Sequence, residues 1–240
     1  MILRDISFVS PQENILFDDV LLDLAEKEEQ GEMLRLWESK EIFIVLGRIG
    51  KEQEELNMEH VKKDRIPVLR RSSGGGTVVQ GRGCLNYSLI LEKAKHRQLQ
   101  DIRGSYQFIL GRIISILKKE KIDAQFMPIS DIALVSSQKK ISGNAQKRGR
   151  KFLLHHGTIL YDFPIEAIEK YLAFPKDMPP YRQGRSHRDF VTNLGLSLDR
   201  VKEILKQPFP VDRVVNDLYE SEKKILSTFL SAKDVRIFIK

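Results

Sequence analysis

"RRSSGGGTVVQGRGCLNY" occupies residues 70–87. Two arginines run into three consecutive glycines, and apolar, β-branched residues then resume. "IPVLR" (66–70) before the glycines reads as a buried strand, and "TVVQ" and "LNYSLIL" beyond them read as strands. The stretch lacks the G-x-x-x-x-G-K-[ST] spacing of a P-loop. No helix follows the glycines, as the dinucleotide-binding pattern requires. Gly74, Gly75 and Gly76 permit positive φ and close approach of a ligand. Successive amides in such a turn can form a concave anion site. Arg70 and Arg71 would add charge-assisted contacts to phosphate or carboxylate. The same residues also suit a plain tight turn between strands with surface arginines.

Working outward, "PQENILFDDVLLDLAEKEEQ" (11–30) has helical apolar spacing at Leu16, Val20 and Leu24. "GEMLRLWES" and "EIFIVLG" follow as strand-like runs, and "RIGKEQEELNMEHVKKD" holds a short helix. "DIRGSYQFILGRIISILKKE" (101–120) is the clearest helix. Ile102, Tyr106, Ile109, Ile113 and Ile116 form its apolar stripe, and Asp101 suits the N-cap. "DIALVSS", "KKISGNAQ" and "FLLHHGTILYDF" read as strands, with the Lys139–Lys140 strand opening at Ser142-Gly143-Asn144 into a basic loop. Residues 165–190 are polar and Pro-rich and read as loop. "SLDRVKEILKQ" and "VNDLYESEKKILSTFL" read as helices. Strands and helices mix without βαβ regularity. The fold class is therefore α+β: a mixed, mainly antiparallel sheet flanked by helices. A single domain spans 1–240, with a core to about 205 and a helical tail over 206–240.

The chain has 240 residues, 41% hydrophobic and 30% charged, and a formal net charge of +7. Six of the thirteen positions from 139 to 151 are lysine or arginine. Such a balance suits an anionic cofactor, an acidic protein or nucleic acid. Stacking aromatics are not interleaved with the basic run, which argues against single-stranded nucleic acid. The single cysteine, Cys84, rules out an intrachain disulfide and cannot build a zinc site by itself. The N-terminus lacks a signal-peptide core, and no apolar run reaches membrane-spanning length. A cytoplasmic protein with no membrane partner is expected. His155 and His156 are adjacent on a strand and point to opposite faces, so they make a poor chelating pair.

"RRSSGGGTVVQGRGCLNYSL", then "KKISGNAQ", "HHGTIL" and "GRSHRDFVTNL" (184–194), together resemble the lipoate–protein ligase family. The resemblance runs from about residue 10 to 205. It implies the fold of biotin protein ligases and class II tRNA synthetases. It implies ATP-dependent activation of lipoate to lipoyl-AMP, with Mg²⁺, and transfer to a lysine of an apo carrier protein. The carrier would be an acidic lipoyl domain or an H-protein-like domain, and an accessory subunit is a further candidate partner. Lys140 would lie between the acyl carbonyl and the α-phosphate, and Arg71 would contact the adenylate. Ser73, Gly74, Gly75, Gly76, Thr77, Asn86, Ser142, Gly143, Asn144, Ala145, His156, Gly157 and Thr158 would complete the binding set. Asp131 would touch metal or ribose. Residues near Val78 and Leu89 would line an acyl tunnel.

Three departures stand out. Gln80 replaces a common histidine, Ser130 replaces an asparagine, and no accessory C-terminal domain is expected. The rival reading is an ATP-independent octanoyl or lipoyl transferase, which needs a nucleophilic cysteine. Neither segment where such transferases carry it contains one here. A non-catalytic lipoyl-binding relative is a third reading.

Overall fold

The computed structural model describes residues 1–232; the last part of the expected helical tail, 233–240, lies outside the described residues. Eleven strands are described: β1 (Ile2–Asp5), β2 (Met33–Trp37), β3 (Phe43–Leu46), β4 (Val68–Arg70), β5 (Val78–Gln80), β6 (Cys84–Glu92), β7 (Ala124–Met127), β8 (Asp131–Leu134), β9 (Lys140–Arg148), β10 (Phe152–Leu160) and β11 (Arg213–Val214). The large sheet has the order β11-β1-β2-β6-β10-β9-β8-β7. Its β1 pairs are parallel and the rest antiparallel. A small sheet, β4-β3-β5, carries the glycine stretch between its outer strands.

The helices are α1 (Pro11–Glu26), α2 (Glu52–Glu55), α3 (Met58–Lys63), α4 (Ile102–Lys119), α5 (Ile165–Tyr171), α6 (His187–Phe190), α7 (Leu198–Lys206) and α8 (Glu220–Ala232). Ser10 caps α1 and Asp101 caps α4, each accepting from a backbone amide three residues on. The central strands are buried on both faces, and side-chain alternation sorts their residues. Leu85, Tyr87, Leu89 and Leu91 of β6 share a core with Ile109, Ile113 and Leu117 of α4 and Val201 of α7. Ile90 of β6 and Phe152 and Leu154 of β10 share another with Leu16, Val20 and Leu24 of α1 and Leu226 of α8. A third core joins the small sheet to α3, α5 and α6.

The structure revises several readings. Ile165–Tyr171 is a helix, not loop, because Ala167, Ile168 and Tyr171 bury one face in the third core. β7 is an edge strand whose "AQFM" carries only a short apolar signal. The β9 strand does not open at Ser142-Gly143-Asn144 but runs unbroken to Arg148, paired with β10. Its basic end is absorbed by ties to neighbours: Lys147 pairs with Asp19, Lys151 with Glu28, and Arg148 bonds the Leu99 and Gln100 carbonyls. Ile102, at the start of the α4 stripe, faces solvent. No helix of the described residues is long and apolar enough to cross a membrane.

Candidate active site

The glycine loop folds around an arginine. Arg71 donates to the carbonyls of Gly74 (2.7 Å), Gly76 (2.8 Å) and Val45 (3.3 Å) and, through Nε, to Ser73 Oγ (3.0 Å). Burial pulls its guanidinium pKa down to about 10, and among the described residues no carboxylate forms an ion pair with it. Gly75 sits at φ +88°, the left-handed region that glycine favours. A Cβ on Gly74 or Gly76 would meet only open space. The protein's own packing therefore does not require glycine at either position. Arg70 does something else. It donates to the Gly47 and Gly50 carbonyls and pairs with Glu52 at 3.0 Å, so it braces the neighbouring loop and does not offer an anion contact.

A chain of polar contacts continues inward from the loop. Ser73 Oγ lies 2.7 Å from His156 Nε2, and His156 Nδ1 lies 3.5 Å from Asp18 Oδ2. Asp18 also accepts from Ser88 Oγ (2.6 Å) and pairs with Arg35 (2.7 Å). Burial would raise the Asp18 pKa, but Arg35, His156 and Ser88 outweigh it and hold the carboxyl below its ordinary value. Asp19, the next residue of α1, accepts from Ser72 Oγ (2.6 Å) and Lys147 (2.7 Å). Two adjacent carboxylates of α1 thus tie the helix to the glycine loop.

Lys140 enters from β9. Its Nζ lies 2.8 Å from Asp131 Oδ1, and Asp131 Oδ2 accepts from Tyr181 Oη at 2.7 Å. A Cβ on Gly143 would stand 2.7 Å from that Nζ, so this glycine opens the path the ammonium takes. Asn144 accepts from Tyr87 (2.5 Å) and donates to the Ser130 carbonyl (2.7 Å) and Ser142 Oγ (3.1 Å). A Cβ on Gly157 would collide with the Asn144 side chain, which explains glycine there.

These groups surround two connected spaces. A narrow cavity of about 150 Å³ is lined by apolar Ile15, Trp37, Val45 and Val78 and by polar Asp18, Gln80 and Asn86. A wide groove of about 650 Å³ runs beside it, walled by Ile49–Lys51, Glu55 and the segment from Leu172 to Val191. Gly75, Gly76, Thr77, Val78, Asp131, Lys140, Gly143 and Thr158 line both, so the lysine stands where the two meet. Arg71, Asn86, Asn144, Ala145, His156 and Gly157 line the narrow cavity, and Ser142 lines the groove. Ser73 and Gly74 line neither; Ser73 is buried behind the loop, on Arg71 and His156. Leu89 belongs to the α4 core, so it is not an acyl-tunnel candidate, whereas Val78 is.

The sequence reading missed Asp18, Trp37, Tyr87 and Tyr181. For Asp18 a signal existed, since "FDDV" places charges inside an apolar helix pattern. Among the described residues no three His, Cys, Asp or Glu side chains gather as a metal centre. Cys84 is buried, lines neither space, and donates to Gln80 Oε1 at 3.2 Å; burial pushes its thiol pKa up to about 12.

A mixed sheet, a glycine loop wrapped on an arginine and a lysine lining both spaces make up the candidate catalytic site. Residues 10–221 match the lipoyl protein ligase A/B catalytic domain, and the chain belongs to that family. The probable lipoate-protein ligase A of Mycoplasma pneumoniae is 31% identical over 69% of this chain and 47% of its own length. The octanoyltransferase LipM of Oceanobacillus iheyensis is 26% identical over 82% of this chain and 79% of its own. The chain spans about half the length of the curated lipoate-protein ligases it matches.

Solved structures agree on the fold. A bi-partite lipoate protein ligase of Thermoplasma acidophilum, from a study with its E2 lipoyl domain, superposes with a TM-score of 0.79. The identity is 20%, covering 97% of this chain and 92% of that one. A lipoate-protein ligase A bound with ATP gives a TM-score of 0.78 at 20% identity, over 96% and 94%.

Proposed function

We propose that the chain is the catalytic part of an ATP-dependent lipoate–protein ligase. It activates lipoate to lipoyl-AMP and passes the acyl group to a lysine of an apo lipoyl-carrier domain. The observation that carries the reading is the place of Lys140: it lines both the small cavity, whose walls include Ile15, Trp37, Val45 and Val78, and the wide groove. The narrow cavity suits an acyl chain, with the carboxylate at the Lys140 end. The groove suits a nucleotide, with its α-phosphate at the same junction.

In the first half-reaction a carboxylate oxygen attacks the α-phosphorus and pyrophosphate leaves. In the second, the carrier's amine attacks the acyl carbon and AMP leaves. Negative charge grows first on phosphoryl oxygens and then on the carbonyl oxygen, and Lys140 lies beside both. One preorganised donor of this kind contributes on the order of 3 kcal/mol to lowering the barrier. Arg71 holds the loop closed and lines the small cavity beside the junction, and among the described residues its charge has no ion-pair partner. Mg²⁺ commonly binds through one or two carboxylates and substrate phosphates. Asp131 lines both spaces, but its two oxygens are already taken by Lys140 and Tyr181, so it does not fit as a ligand for the ion.

The LipM likeness, which covers more of that relative than of the ligases, favours a second reading: acyl transfer from a carrier without ATP. The burial of Cys84 supports the ligase instead, because a thiol with a pKa near 12 has almost no thiolate near neutral pH. The deciding experiment incubates the chain with an apo lipoyl domain and either lipoate, Mg²⁺ and ATP or an octanoyl-loaded carrier protein without ATP, and reads intact mass. Acylation that needs ATP supports the ligase; acylation from an octanoyl carrier without ATP overturns it.

A further inference from the structure

Lys140 is not held by its own strand alone. Its ammonium rests on Asp131 Oδ1, and the other oxygen of that carboxylate takes the phenol of Tyr181 at 2.7 Å. Tyr181 comes from a different part of the chain, the short turn Pro180–Arg182 within the segment that walls the wide groove. Its ring packs on Phe190 at 5.1 Å, and its neighbour Arg185 ties the same segment to the Ser137 and Gln138 carbonyls. We propose that Tyr181 is a positioning residue for Lys140, acting through Asp131, so that the groove wall and the reacting end of the narrow cavity are set by one hydrogen-bonded chain.

The physical case rests on the carboxylate. Asp131 is buried, and each of its oxygens has one fixed donor. With the phenol in place, only one orientation satisfies both oxygens, and that orientation aims Oδ1 along the channel opened by Gly143. Without the phenol, a buried oxygen loses its partner and the carboxylate turns to recover one. The ion pair with Lys140 then loosens, and the ammonium leaves the junction. The inference deepens the acyl-activating reading and rests on it for the kinetic consequence, but not for the coupling itself.

The test is a double-mutant cycle of Tyr181→Phe, Asp131→Ala and the pair, read in two ways. Tyr181→Phe keeps the ring against Phe190, and a thermal melt checks each fold. The first readout needs no substrate: acetic anhydride labelling of Lys140, measured by fragment-ion mass spectrometry against Lys139. Tyr181→Phe should label Lys140 about threefold faster than wild type, and the double variant no faster than Asp131→Ala. The second readout is lipoate-dependent ATP–pyrophosphate exchange. Tyr181→Phe should lower kcat about tenfold with KM for lipoate nearly unchanged, and should add almost nothing to Asp131→Ala. Unchanged labelling, or losses that add in full, would overturn the proposal. A wild-type chain without exchange activity would overturn the acyl-activating reading instead, while the labelling cycle still decides the role of Tyr181.

Discussion

The carbonyl of Gly75 occupies the space that a Cβ on Gly47 would need. The glycine loop is therefore seated on a second glycine, at the end of β3, far from it in sequence. Arg71 completes the seat by taking the carbonyls on either side, Gly74 and Gly76. A methyl at Gly47 should lift the loop and strip Arg71 of its acceptors. Overpacking of this kind costs about 1–3 kcal/mol. Gly47→Ala should thus melt a few degrees lower and lose most affinity for a non-hydrolysable lipoyl-adenylate mimic. Gly74→Ala is the control, since its Cβ meets nothing in the protein. Its melting temperature should hold, so any loss of mimic affinity there reports contact with the ligand. Calorimetry on both variants decides, and equal affinities in all three proteins would leave the loop as a plain turn.

Cys84 separates the two enzymatic readings. The thiol is buried against Gln80 and held far from ionisation. Cys84→Ser should keep ATP-dependent lipoylation within about threefold, the change reflecting only a buried polar swap. Trapping of an octanoyl thioester on Cys84, seen by intact mass and lost in the serine variant, would reverse the assignment.

His155 gives the fold a pH dependence of known sign. It is wholly buried between Tyr87 and Tyr106, accepts at Nδ1 from Gln146, and among the described residues leaves Nε2 without a hydrogen-bond partner. Burial lowers its pKa to about 3. The unfolded chain, with an ordinary histidine near 6.5, binds the extra proton between those values. Stability from this group is complete above about pH 6.5 and falls as pH drops toward 3. Linkage sets the loss at roughly 2 kcal/mol between pH 8 and pH 5. Urea unfolding of wild type and His155→Leu across that range should show the slope in the first and a reduced slope in the second.

How much of this was legible follows from range. Within β10, alternation in the sequence foretold the split of His155 from His156. The glycine loop and the Lys140 strand were found because their signals are contiguous. Tyr181 lay in a polar, Pro-rich stretch with no periodicity, and only folding brings its phenol to Asp131, fifty residues away. Arg70 was misjudged beside Arg71 for a related reason. On an extended strand neighbours point to opposite sides, and which side holds the ligand is a tertiary fact. Asp18 carried a signal in its charge, but its partners Arg35, Ser88 and His156 come from three strands that no local pattern joins.

Lys140 and Lys139 put the proposed chemistry to its sharpest trial. They are adjacent, carry the same charge and diverge in direction. Lys140 reaches Asp131 at the junction of the two spaces, while Lys139 reaches the Arg188 carbonyl at 3.5 Å. A general electrostatic role for the basic segment would make the two substitutions equivalent. A role at the reacting atoms would not. Lys140→Ala should lower both pyrophosphate exchange and transfer from preformed lipoyl-adenylate by about 100-fold or more, the usual cost of one lost preorganised donor. Lys139→Ala should stay close to wild type in both. Lys140→Arg should recover only part of the loss. A planar fork cannot replace a compact ammonium between two acceptors, and the channel over Gly143 is sized for the smaller head. Measuring both half-reactions separately keeps the outcomes apart: loss of exchange with intact transfer would confine Lys140 to activation, and equal mild effects from both lysines would remove it from the chemistry.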